Sequence, residues 1–207
     1  MEQTRKALEP ISIVRPRGSN RIETFSPKMN RRLTLYRRSE LDLWVRIETD
    51  PTVRSFCERP GYVQYDGHRQ LADFLVAYRD SQEILLLTER ELPDDLRYDG
   101  NVENPLTFQS VRVADLAASR AWIDNWKRML PCIVITRGLL SNALLDGIEH
   151  FLTSPQPLAA VERKFSGGDP ILARAATFAL LYAGRVSART LRTTPLSSLT
   201  PFVCHGI

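Results

Sequence analysis

The chain has 207 residues, 43% of them hydrophobic and 25% charged, which is enough for one sizeable core or a core with a small appended module. No apolar run approaches the roughly 20 residues that span a bilayer, and MEQTRKALEP lacks the apolar region of a secretory signal, so a soluble, cytoplasmic protein without a membrane partner is expected. Cys57, Cys132 and Cys204 are far apart with no CxxC pair, which argues against a disulfide framework or a zinc site and for free thiols, with Cys132 in the core.

The net charge of +4 is unevenly placed. Residues 1–38 carry Arg5, Lys6, Arg15, Arg17, Arg21, Lys28, Arg31, Arg32, Arg37 and Arg38 against Glu2, Glu9 and Glu23, a balance of +7, which leaves −3 for the rest. With Pro10, Pro16, Gly18 and Pro27 among them, these residues read as a basic arm without a core of its own. Such an arm suits phosphate backbones through counterion release, or is a merely solvated tail.

In chain order, Ser39 is the expected cap of a helix over 40–49 with Leu41, Trp44 and Val45 at helical spacing, ended by Asp50-Pro51. VRSFCERP and YVQY read as extended, Asp66-Gly67 as a turn, and 68–78 as one strand. After a turn near Asp80-Ser81, the run Ile84–Leu87 suggests a strand buried on both faces. Residues 92–107 read as a loop, 114–129 as a helix, and Cys132–Ile135 as another buried strand. Helical pieces are then expected over 139–152 and 157–165, a break at Ser166-Gly167-Gly168, a helix capped by Asp169 from Pro170 to Tyr182, a stop at Gly184, and two short helical pieces beyond it. The order gives an α/β fold, a mixed sheet flanked by helices, followed by a C-terminal helical module that is a candidate helix-turn-helix, with a boundary near 137.

GxSxG, GxxxxGK[ST], HExxH and GxGxxG are absent, and His68, His150 and His205 are too scattered to suggest a metal cluster. Carboxylates are the better lead. The stretch 39–89, SELDLWVRIETDPTVRSFCERPGYVQYDGHRQLADFLVAYRDSQEILLLTE, resembles the N-terminal catalytic domain of TnsA, the endonuclease subunit of heteromeric bacterial transposons and a member of the PD-(D/E)XK nuclease superfamily. Glu40 lies ten residues before Asp50-Pro51, as the family's helix Glu does; Arg59-Pro60 falls at its "QP"; and Ala72-Asp73-Phe74 falls at its "PDF". The segment 175–202 is similar to the end of short members of the family.

The resemblance implies a restriction-endonuclease-like core over 39–137 between the arm (1–38) and the helical module (138–207). It also implies a centre in which Glu40 and Asp73 hold Mg²⁺, which polarises the phosphodiester and activates water. The family's E/Q-x-K motif, however, falls on Leu87-Thr88-Glu89. Leucine cannot bind a cation, and Glu89 cannot replace a lysine. Glu40, Asp73 and Glu89 are thus either the remnant of a catalytic site or a three-carboxylate variant of it. The implied partners are the double-stranded DNA of transposon ends, a DDE transposase subunit and an ATPase regulator of transposition. Arg15, Arg17, Arg31, Arg32, Arg37, Arg38, Arg185 and Arg189 are the candidate DNA contacts. The expected function is a transposition subunit whose nuclease centre is eroded; the alternatives are an active Mg²⁺ endonuclease cutting the non-transferred strand and a helix-turn-helix regulator. Trp44, Trp122 and Trp126 fit a core better than a base-stacking platform.

Overall fold

The computed structural model describes residues 9–100, 105–167 and 169–204; Arg5, Lys6, Gly168 and His205 lie outside the described residues. The chain divides into two compact units, 1–48 with 52–118 and 49–51 with 119–207. The division falls at the start of the long third helix, ahead of the boundary expected near 137.

The first unit begins with an antiparallel hairpin, β1 (Ile22–Ser26) and β2 (Arg31–Leu35), that leads into α1 (Arg38–Glu48). Leu33 and Leu35 are buried with Leu43, Trp44, Val45 and Ile47 of the helix. Glu48 locks the turn of the hairpin: it is fully buried, and its carboxylate accepts from Ser26 Oγ at 2.6 Å and from Lys28 N at 2.9 Å. Residues 22–38 are therefore part of a folded unit and not of a free arm. The segment before them is tied in as well, since Ile11 N donates to Arg59 O and Arg59 Nε donates to Ile11 O. The reason is apolar: β2 turns Leu33 and Leu35 inward, with Thr34 between them and Arg32 ahead of them on the other face, a period-2 pattern that a count of charges conceals.

Two sheets follow. β4 (Tyr62–Tyr65) pairs with β5 (His68–Leu71) and β8 (Arg97–Tyr98), the first pair closed by the tight turn Asp66-Gly67, where both residues have positive φ. The second sheet is mixed, in the order β3 (Ser55–Glu58), β6 (Phe74–Ala77), β7 (Gln82–Leu87), β9 (Leu106–Val111), with β9 parallel to β7 and the other pairs antiparallel. The single strand expected over 68–78 is thus two strands in different sheets, and the chain crosses between them at Ala72-Asp73. Val63, Ala72, Leu75, Ile84, Leu86 and Leu96 form one buried cluster, with Leu106 and Phe108 packed against it. Each fully buried Val, Leu or Ile of the cluster stabilises by about 1.5–3 kcal/mol. The unit closes with α2 (Val113–Ala118), which packs against α1.

The second unit contains α3 (Arg120–Ile135), α4 (Asn142–Phe151), β10 (Gln156–Pro157), α5 (Leu158–Phe165), α6 (Pro170–Tyr182), β11 (Val186–Ser187), a 3-10 turn at Arg189–Arg192 and β12 (Pro201–Cys204). Apolar α6, capped by Asp169 through Ile171 N, packs against α3, α4 and α5. Its backbone leaves the helix through Gly184, whose φ of 71° favours glycine. Cys132–Ile135 is the last turn of α3 and not a strand. Ile123, Trp126, Met129, Leu130 and Ile133 recur on one buried face, so helical spacing carries through Pro131. Cys132 itself is only half-buried. Two short helices were expected after Gly184; among the described residues there is one 3-10 turn, and β12 pairs with β10 and β11. No helix among the described residues is long and apolar enough to cross a membrane.

Candidate functional site

Glu40 stands in the first turn of α1, and its position follows from helix capping. The residue flanking that turn is Arg37, not Ser39. Glu40 Oε2 reaches back to accept from Tyr36 N at 2.8 Å and Arg37 N at 3.2 Å, the arrangement in which a third-position glutamate satisfies donors ahead of the helix. A carboxylate at this end also complements the helix dipole.

Asp73 stands at the crossing between the two sheets. Its backbone N donates to Leu85 O and its carbonyl accepts from Arg59 N. Its side chain is buried, with Oδ2 accepting from Leu87 N at 2.6 Å.

One guanidinium joins the two acids. Arg37 Nε donates to Glu40 Oε1 at 2.7 Å, and Arg37 Nη2 donates to Asp73 Oδ1. Burial pushes the Asp73 carboxyl up to about 6, with Glu40 adding to the rise, while the Arg37 charge and the Leu87 N–H hold it down. Burial works against the Arg37 charge too, yet Asp73 and Glu40 outweigh it and its pKa is raised. The cluster is thus one guanidinium held between two acid side chains.

The remaining candidates lie elsewhere in the bonding scheme. Glu89 is exposed, and its Oε1 accepts from Val113 N at 2.9 Å, so it caps α2. Leu87 contributes its backbone N–H to Asp73 and brings no ligand atom of its own. Mg²⁺ takes about six oxygens at about 2.0–2.1 Å in near-octahedral geometry. Here all four oxygens of Glu40 and Asp73 already accept hydrogen bonds, three of these from Arg37. Among the described residues no group of three or more His, Cys, Asp or Glu is arranged to hold a metal. The residues present do not fit the ion.

The arginines proposed for DNA divide into two kinds. Arg15, Arg17, Arg32, Arg38 and Arg189 are exposed, although Arg15 Nε donates to Ser19 O at 2.9 Å. Arg31, Arg37 and Arg185 are held by carboxylates. Arg31 forms a two-pronged pair with buried Glu58, and Arg185 is gripped by Glu149 and Asp146. Arg31, Arg32 and Arg59 line a cleft of about 270 Å³ with Tyr36 and Glu58. Arg59, which sequence placed only at the "QP" position, was not among the expected DNA contacts, and the role of Asn125 was missed. Buried Asn125 donates to Leu191 O and Thr194 O and accepts from Leu196 N, pinning the segment after α6. Trp44 and Trp126 are core residues, while Trp122 is half-buried with Arg192 4.9 Å from its ring centre.

Compared with models of known protein families the chain matches none, and compared with curated protein sequences it likewise finds no match.

Proposed function

We propose that this chain is a TnsA-like subunit of a DNA transposition complex, built on a PD-(D/E)XK nuclease core, that binds transposon-end DNA without cutting it. One observation carries the reading: the helix glutamate and the aspartate just ahead of β6, 33 positions apart in sequence, meet at a single guanidinium beside a mixed sheet of order β3-β6-β7-β9. That convergence is what a nuclease-derived core requires, and the bonded carboxylates and Leu87 are what an eroded centre requires. The exposed Arg15, Arg17, Arg32 and Arg38 supply positive charge for duplex phosphates. A DDE transposase subunit and an ATPase regulator are the protein partners this role calls for.

The test combines cleavage and binding. The purified chain, with its partner proteins, is incubated with labelled transposon-end DNA in Mg²⁺ or Mn²⁺, and duplex affinity is measured across a salt series. The proposal expects no nicking, together with salt-sensitive binding that weakens when Arg15, Arg17, Arg32 and Arg38 become alanine, each lost phosphate contact lowering the salt slope by about 0.9. Metal-dependent nicking abolished by Asp73→Ala would promote the active endonuclease instead. Absence of any duplex binding would end the DNA reading.

A further inference from the structure

We infer that the Arg37 guanidinium is the resident cation of the Glu40–Asp73 carboxylate pair and holds it closed to divalent metals. The inference rests on the proposed nuclease ancestry only for the choice of competing ion.

The geometry is specific to a guanidinium. Nε and Nη2 lie on one edge of the planar group, so two acids that each engage one of them are set side by side across that edge. A lysine ammonium offers one nitrogen and could not meet both in the same way. The arrangement is also fixed from the backbone side. Arg37 flanks the first turn of α1, and its own N–H is bonded by the same Glu40 whose other oxygen takes Nε. The fourth oxygen, Asp73 Oδ2, is taken by Leu87 N, a donor that no side-chain rotation can withdraw.

Charge leads to the same conclusion. The pair carries −2 and the guanidinium +1, so a divalent ion entering between the acids would sit within contact distance of a fixed positive charge, in surroundings where such repulsion is poorly screened. It would also have to break the hydrogen bonds to Arg37. The outer side of Arg37 faces solvent, its side chain being 50% exposed, so shortening it opens the pair to water and ions without emptying the core.

The experiment follows thermal unfolding of the full chain, natural and variant, with and without millimolar Mn²⁺ or Mg²⁺, in the absence of DNA. The natural chain should show no metal-dependent shift. Arg37→Gln should melt lower without metal and recover by about 3 °C or more in Mn²⁺, because an ion bound only by the folded state raises its melting temperature. That recovery should vanish in the double variant Arg37→Gln with Asp73→Asn. A natural chain stabilised by Mn²⁺, with the gain lost in Asp73→Asn, overturns the inference. So does an Arg37→Gln protein that folds normally and ignores Mn²⁺. Should Arg37→Gln fail to fold, electron paramagnetic titration of Mn²⁺ into the natural chain and Asp73→Asn decides the matter alone: equal binding supports the inference, and binding that depends on Asp73 overturns it. Because no DNA is used, the outcome is independent of the DNA-binding assay.

Discussion

Arg37 and Arg185 are each gripped by two carboxylates, one in each unit, and the contrast between them shows what burial does to the same chemistry. Arg37 joins Glu40 and Asp73, whose side chains are 15% and 6% exposed. Arg185 joins Glu149 and Asp146, at 26% and 68%. The two acids of the first cluster are withdrawn from water beneath the guanidinium that covers them, so they depend on it. The second remains solvated and screened. The same pairing of one guanidinium with two acids therefore makes a centre in one place and a surface clasp in the other.

The sharpest way to break this comparison is to remove each guanidinium. Arg37→Ala leaves buried Asp73 and shielded Glu40 facing each other, and should cost about 2–4 kcal/mol at pH 7, below the cost of a fully buried pair because Arg37 is half exposed. Denaturant unfolding measures this, and a loss no larger than that of Arg185→Ala would erase the distinction.

Next in size is the pH dependence of Asp73. Its folded pKa of about 6 lies above the usual aspartate value, so the folded state retains a proton that the unfolded chain releases. The resulting stability is fully present below about pH 4 and is lost as pH rises through about 6, amounting to on the order of 3 kcal/mol. Measured against Asp73→Asn, the natural chain should lose relative stability over that window, and a flat difference curve would place Asp73 in a wetter setting than the structure does.

Glu89 gives a smaller test. If it is a cap of α2 and not a member of the centre, Glu89→Ala costs about 1 kcal/mol, independently of Arg37. Strong non-additivity with Arg37→Ala would tie it to the centre after all. The smallest effect belongs to Arg185→Ala, about 0–1 kcal/mol and reduced further by salt.

How much of this was legible beforehand varies with the kind of signal. Glu40 and Asp73 were paired only through the resemblance, which implies a helix glutamate ten residues before Asp50-Pro51 and an aspartate just ahead of Phe74. The turn Asp66-Gly67 and the apolar run of β7 were equally open. Arg37 was visible only as one more basic residue, because its role depends on where the hairpin β1–β2 delivers the chain relative to β6, a tertiary fact. Leu33 and Leu35 were hidden by the arginines around them. β9 is an edge strand, so Leu106 and Phe108 alternate with polar residues in place of a continuous apolar run, and Pro105 drew the reading toward a loop. The β-branched residues of 132–135 favoured a strand locally, but the buried face of α3 outweighed that propensity.

The central claim is that Arg37, and not a metal, neutralises Asp73. A double-mutant cycle at pH 7 tests it most directly, comparing the unfolding free energies of the natural chain, Arg37→Ala, Asp73→Asn and the double variant in chelator-treated buffer. The account predicts a favourable coupling of about 2 kcal/mol. A coupling indistinguishable from zero would contradict it.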